Sequence, residues 1–203
     1  MKIQLFTAIT LVSTLVSAQN KKIELSILPS DLQIKIALLA TTEDVRGDAK
    51  VLGYNQTGEL VELKKGTSQF TCLAPDYKMP KYFASYCYPN SLEPLMSRGR
   101  ELIKDGKRNQ RNDIRAKEYK EGKFTMPQVP TTMYGYWGSL EKLNKETGEM
   151  TDAKRRYVIY VSGAKASDLG LSNKPNNLGM PWLMDEGTYK AHIMITPPIE
   201  HNH

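Results

Sequence analysis

The sequence predicts an α+β fold, in which a mainly antiparallel sheet of about six strands carries helices on one side. Two observations lead to this prediction, and a third concerns a cross-link within the fold. Short stretches of alternating polar and apolar residues recur within residues 49–73 and 131–196, with turn residues between them. An amphipathic helical pattern lies between these two regions. The chain has two cysteines, Cys72 and Cys87, which permit a single intramolecular disulfide.

The first eighteen residues have the layout of a secretory signal peptide. A positive start is followed by an uncharged run over residues 3–16, and small residues precede a cleavage site before Gln19. The run is shorter than the roughly 20 residues that cross a bilayer as a helix, which favours cleavage over anchoring. We therefore expect residues 1–18 to be removed and residues 19–203 to form one exported domain, periplasmic or extracellular. Residues 197–203 are expected to be a short flexible tail.

The first part of the mature chain predicts a helix followed by a meander of strands. Residues 32–40 alternate as a strand would, but they also share a helical face, and capping residues after a proline favour the helix. Two tight turns join three predicted strands, which favours antiparallel pairing. The stretch between the cysteines is rich in proline and tyrosine and predicts a long loop, pinned by the disulfide. The three strands are predicted at residues 49–54, 59–64 and 69–73.

The strongest helix prediction covers residues 92–103. Apolar residues repeat there at helical spacing, Ser91 or Asn90 supplies a cap, and Gly106 ends the helix. A second, more polar helix is predicted over residues 110–121, so the two form a helical pair on one side of the sheet.

The last third of the chain returns to short strands joined by turns. The strand at residues 156–161 is apolar on both faces, which is typical of an interior strand. A polar hairpin loop precedes it, and an irregular stretch with one helical turn near Ser167 follows it. A hairpin closes the chain. The predicted strands are residues 131–137, 156–161, 182–184 and 189–196.

Positive charge is concentrated in the helical middle of the chain. Residues 98–123 hold ten basic and five acidic side chains, whereas the rest of the mature chain is neutral on balance. This pattern predicts contact with an anionic glycan or lipid surface, and the alternative is a solvated helix face with interspersed acids. Export argues against a nucleic-acid partner. The candidate binding residues are Arg98, Arg100, Lys104, Lys107, Arg108, Arg111 and Arg115.

A second hypothesis is a secreted hydrolase that uses His192 as its acid–base group. In the predicted closing hairpin Trp182 and Asp185 would lie across from His192, and a carboxylate partner, Asp185 or Glu186, would raise its pKa. The alternative is a structural histidine bonded to the backbone. The sequence has no Gly-x-Ser-x-Gly elbow and no His-Glu-x-x-His motif, and its two cysteines do not form a zinc knuckle. No cofactor and no metal are predicted.

Five short stretches spread over most of the mature chain form a recognisable set. They are KVLGY at 50–54, KGTSQFTCL at 65–73, LEPLM at 92–96, MPWLM at 180–184 and GTYKAHIMI at 187–195. This set resembles a group of uncharacterised secreted bacterial proteins. The resemblance implies an exported single-domain protein and no particular activity.

Overall fold

The structure is a computed structural model that describes residues 27–79, 83–175 and 179–198. The predicted signal peptide, residues 1–18, and most of the predicted tail lie outside these residues. Within the described ranges, no helix is both long enough and apolar enough to cross a membrane.

The fold is α+β, as predicted, with eight strands in one sheet. The strands are β1 Lys50–Tyr54, β2 Leu60–Lys64, β3 Phe70–Leu73, β4 Phe83–Pro89, β5 Thr131–Gly138, β6 Lys154–Tyr160, β7 Trp182–Met184 and β8 His192–Ile195. Their order across the sheet is β2-β1-β3-β4-β5-β6-β8-β7. The helices are α1 Ser30–Leu38, α2 Glu43–Arg46, α3 Glu93–Lys104, α4 Arg111–Lys120 and α5 Ala166–Leu169.

The sheet has more strands than predicted, because β4 occupies part of the expected loop between the cysteines. All the residues of β4 from Phe83 to Tyr88 are buried except Tyr86, so this strand lies in the interior of the sheet. Its aromatic and small residues suit a strand with covered faces. The sequence analysis predicted a loop here because prolines lie between the cysteines, and proline is typical of loops.

The pairing of β3 also differs from the prediction of two consecutive antiparallel hairpins. Strands β1 and β2 form the expected hairpin, but β3 pairs with β1 in parallel, with Val51 opposite Cys72. The residues of β2 are exposed or half-buried, whereas β1 has fully buried positions. Placing β1 between β2 and β3 leaves β2, which carries two charged residues, at the edge of the sheet, where charges discourage pairing with another chain.

The predicted disulfide between Cys72 and Cys87 is present. It joins directly opposite residues of β3 and β4, whose Cα atoms are 4.0 Å apart. Both cysteines are fully buried. The bond therefore cross-links two neighbouring strands beneath a helix, and it does not pin an extended loop as expected.

Helices cover both faces of the sheet, and each face has its own core. On one face α1 packs its buried Ile36 and Ala37 against Val51 and Phe83. On the other face, α3 and the chain after α4 pack over the second core. This second core contains Tyr88, Leu92, Leu95, Met126, Met133, Val158, Tyr189 and Met194. The helical pair thus lies on one side, as predicted, while α1 covers the side that was expected to be open.

The two helices of the pair are joined by a short connection with a well-defined start. Gly106 has φ +73°, and the N–H of Lys107 donates to the carbonyl of Leu102 at 2.8 Å, which ends α3 as predicted. At the start of α3, neither Ser91 nor Asn90 caps the helix as predicted, because no side chain forms a capping hydrogen bond there. The Asn90 side chain instead accepts a hydrogen bond from the Thr71 hydroxyl at 2.7 Å.

Candidate anion-binding surface

Two of the candidate arginines are held by carboxylates of the helical pair. Arg98 donates from Nε and Nη2 to both oxygens of Glu118, at 2.8 and 2.7 Å, and from Nη1 to Glu101 at 2.9 Å. Because Arg98 is on α3 and Glu118 on α4, this bidentate pair joins the helices. Hydrogen bonds from Arg98 hold the pKa of Glu118 below its ordinary value. Arg100 pairs with Glu93 and also donates to a buried tyrosine hydroxyl.

Arg108 and Arg115 are also engaged, in different ways. The guanidinium of Arg108 lies 3.4 Å from the Asp76 carboxylate. Arg115 is only 8% exposed, and it donates to the Leu95 carbonyl at 3.1 Å and to the Asn112 side chain at 3.0 Å. Burial lowers the pKa of Arg115 from its ordinary value. Arg115 therefore supports the contact between α3 and α4, and a surface ligand does not reach it directly.

The remaining three candidates form no ion pair with any described residue. Lys104 is the last residue of α3, Lys107 lies in the connection, and Arg111 is the first residue of α4. Both lysines are exposed and Arg111 is half-buried. Together these three cations mark the end of the helical pair, which we call the α3–α4 end.

A row of residues beside α4 on the sheet was missed by the sequence analysis. Tyr86, Gly135 and Arg156 are directly opposite one another on β4, β5 and β6, so they share the face that carries α3 and α4. Two ring carbons of Tyr86 lie 3.6 Å from the point that a Cβ of residue 135 would occupy. The ring therefore lies against the bare backbone of Gly135, and Tyr86 is still 38% exposed.

Arg156 is held in place by an aromatic side chain. Its guanidinium carbon is 4.6 Å from the ring centroid of Trp137, and its Nε donates to the Thr196 hydroxyl at 3.3 Å. It forms no ion pair with any carboxylate in the described part of the chain. A guanidinium stacked on a ring keeps its remaining N–H donors available at the edge of its plane. We call Tyr86, Trp137 and Arg156 the sheet-face patch.

The sheet-face patch and the α3–α4 end meet at Tyr86. Burial raises the pKa of the Tyr86 phenol, and the positive charges of Arg156 and Arg111 both oppose that shift. The hydroxyl therefore lies in the field of one arginine from the sheet and one from α4. Neither of these two arginines forms an ion pair with a carboxylate among the described residues, so both charges remain available near Tyr86.

His192 lies close to the predicted acid but binds the backbone more closely. Its Nδ1 is 2.7 Å from the Lys190 carbonyl and 3.8 Å from the Asp185 carboxylate. That carboxylate accepts a hydrogen bond from the Lys190 ammonium at 2.9 Å. Desolvation lowers the pKa of His192 instead of raising it as expected, because burial outweighs the opposing effects of the Lys190 carbonyl and Asp185. The residue opposite His192 on β7 is Met184, and Trp182 lies opposite Met194. Glu186 accepts a hydrogen bond from the N–H of Ala166 at 2.8 Å, at the start of α5.

Over the residues that the structure describes, no group of three His, Cys, Asp or Glu side chains is placed to hold a metal ion. Comparison with known proteins gave no match to any protein-family model, curated protein or solved structure. Neither a family nor a similar fold therefore assigns an activity to this chain.

Proposed function

We propose that the protein is an exported, non-enzymatic binding protein that engages an anionic glycan or lipid surface through the α3–α4 end. The observation that supports this proposal is that Lys104, Lys107 and Arg111 form no ion pair with any residue the structure describes, whereas three other arginines of the same segment each have one. A ligand can pair with such free cations without breaking a contact inside the protein.

The acids of this segment reinforce the argument. Glu101, Glu118 and Glu121 are three of its five acidic residues, and each already pairs with a cation of the same segment. These pairs neutralise part of the segment internally. The other two acids, Asp105 and Asp113, form no ion pair with a described residue, and Asp105 lies between Lys104 and Lys107. Residues 104–111 still hold four basic side chains against this one acid, so the α3–α4 end keeps a positive local charge.

Export is part of the proposal and has two supports. Residues 1–18 have the pattern of a cleavable signal peptide. The disulfide between Cys72 and Cys87 is of the kind that persists in oxidising compartments. We therefore place the binding protein in the periplasm or outside the cell, where anionic glycans and lipid head groups are available.

The experiment compares two triple variants that remove the same charge. The test variant is Lys104→Gln, Lys107→Gln and Arg111→Gln, and the control is Lys65→Gln, Lys145→Gln and Lys174→Gln, at exposed positions elsewhere. Each cation near an anionic surface contributes about 1 kcal/mol, so the test variant should bind roughly 100-fold more weakly. Binding is measured to phosphatidylglycerol vesicles and to dextran sulfate at low salt.

The control variant should bind within a few-fold of the wild type, and added salt should weaken all binding because it screens exposed charges. Equal losses in the two variants would mean that only net charge matters, which contradicts a localised site. A wild-type protein that binds neither the vesicles nor dextran sulfate would overturn the proposal.

A further inference from the structure

We infer that the sheet-face patch binds the sugar rings and acidic groups of an anionic polysaccharide, so that the ligand of the α3–α4 end is a glycan and not a lipid. This inference rests on the proposed function and names the ligand class. It is carried by an exposed aromatic ring and a pre-positioned cation, which lie side by side on one sheet face.

The aromatic ring is suited to stacking against a sugar. Two neighbouring ring carbons of Tyr86 lie against Gly135, and the residue is 38% exposed, so part of the ring is open to solvent. The face of an aromatic ring carries partial negative charge, and the C–H groups on one face of a sugar ring are weakly positive. Inorganic phosphate and the phosphatidylglycerol head group have no sugar ring to stack on Tyr86, and they could use only its hydroxyl as a hydrogen-bond donor.

The cation is suited to a carboxylate or sulfate on the same ligand. Trp137 and the Thr196 hydroxyl hold the Arg156 guanidinium in one orientation. A pre-positioned guanidinium loses little conformational entropy when it binds a planar or tetrahedral anion through two N–H donors. Tyr86 and Arg156 are two strands apart, about 10 Å at the usual strand spacing, which places ring and charge within reach of one short segment of glycan.

The surface extends beyond a single sugar. Arg111 is the first residue of α4, directly after the connection that carries Lys107, and its positive charge lowers the pKa of the Tyr86 phenol. Cations therefore continue from the sheet to the connection between the helices. An elongated polymer with repeated negative charges complements such a surface better than a single small anion does.

The experiment separates sugar recognition from charge recognition. Wild type, Tyr86→Ala, Tyr86→Phe and Arg156→Gln are tested for binding to dextran sulfate, to neutral dextran and to inorganic polyphosphate. Arg155→Gln is the matched control. Arg155 is the neighbour of Arg156 on the opposite face of β6, where it lies 5.4 Å from the Tyr136 ring and donates to the Leu39 carbonyl.

We expect Tyr86→Ala to weaken binding to dextran sulfate about tenfold and to leave polyphosphate binding unchanged, because a stacking contact of roughly 1 kcal/mol or more is lost. Tyr86→Phe retains the ring and should bind dextran sulfate like the wild type. Arg156→Gln should weaken binding to both polyanions about tenfold, since a charged hydrogen-bond donor is lost. Arg155→Gln should change neither.

Several results would overturn the inference. These are normal dextran sulfate binding by a folded Tyr86→Ala variant, an equal loss of polyphosphate binding in that variant, or equal effects of Arg155→Gln and Arg156→Gln. Should Tyr86→Ala unfold, Tyr86→Leu takes its place in the same comparison, because leucine fills much of the space of the ring but cannot stack on a sugar. If only the triple variant at the α3–α4 end weakens binding, the inference fails and the proposed function stands. If the wild type binds no dextran sulfate, the inference fails, and the proposed function fails with it only if the phosphatidylglycerol vesicles are not bound either.

Discussion

Replacing Gln33 by leucine should destabilise the fold, because this side chain completes the hydrogen bonding of β1. Gln33 lies in α1 and is 2% exposed. Its Nε2 donates to the carbonyls of Leu28 and Tyr54, at 2.7 and 2.8 Å, and its Oε1 accepts from the N–H of Tyr54 at 2.7 Å. The ladder between β1 and β3 ends two residues earlier, at Leu52. The amide therefore acts as the strand partner that Tyr54 would otherwise lack.

The expected cost follows from these three bonds. Leucine is close to glutamine in volume, so packing changes little, but the N–H and C=O of Tyr54 lose their partners. Each buried polar group left unsatisfied costs about 1–3 kcal/mol, so we expect a loss of about 3 kcal/mol in the free energy of unfolding.

The assay is urea denaturation followed by circular dichroism, with Gln69→Leu as the control at an exposed position without a side-chain hydrogen bond. Gln33→Leu should lower the midpoint urea concentration with an unchanged slope. A stability within about 0.5 kcal/mol of the control would refute the reasoning, because surface substitutions alone have effects of that size.

The remaining predictions concern the disulfide, two tyrosines and His192. Replacing Cys72 and Cys87 by alanine should reduce the free energy of unfolding by about 3 kcal/mol, and an unchanged calorimetric melting temperature would contradict this. Burial raises the pKa of Tyr54 and Tyr160 to about 12. Their raised pKa values favour the folded state below pH about 10, and this contribution is lost as the pH rises towards 12. Urea midpoints should therefore fall over that range, less steeply in Tyr160→Phe, and equal slopes would argue against it. The lowered pKa of His192 should keep its ring neutral below the ordinary histidine range in an NMR titration, whereas a raised pKa that Asp185→Asn abolishes would favour the acid–base hypothesis.

The sequence analysis correctly predicted the elements that are marked by a pattern spanning only a few residues. The apolar repeat of α3 and the glycine at residue 106 define that helix, and the turn at residues 185–188 defines the closing hairpin. The parallel contact between β1 and β3 has no such signal. The position of β1 inside the sheet depends on tertiary packing, since residues of α1 pack against β1 in one core. Packing of this kind has no local sequence pattern.

The candidate site was predicted in part, because charge is visible in a sequence but pairing is not. Residues 98–123 are clearly basic, yet Arg98 finds its main partner, Glu118, twenty residues further along the chain and on another helix. Only the packing of α3 against α4 shows which cations remain free. The row of Tyr86, Gly135 and Arg156 depends on the register of three strands, one of which was predicted as a loop.

The most direct test of the account is to map where a polyanion touches the protein. Backbone amide NMR signals would be followed while dextran sulfate is titrated into the oxidised, processed protein. The account predicts saturable shifts centred on residues 104–111, with a second group around Tyr86 and Arg156, and little change in α1 on the opposite face of the sheet. Shifts centred on α1, or no shift at any residue of the α3–α4 end, would contradict the claim that this surface binds an anionic ligand.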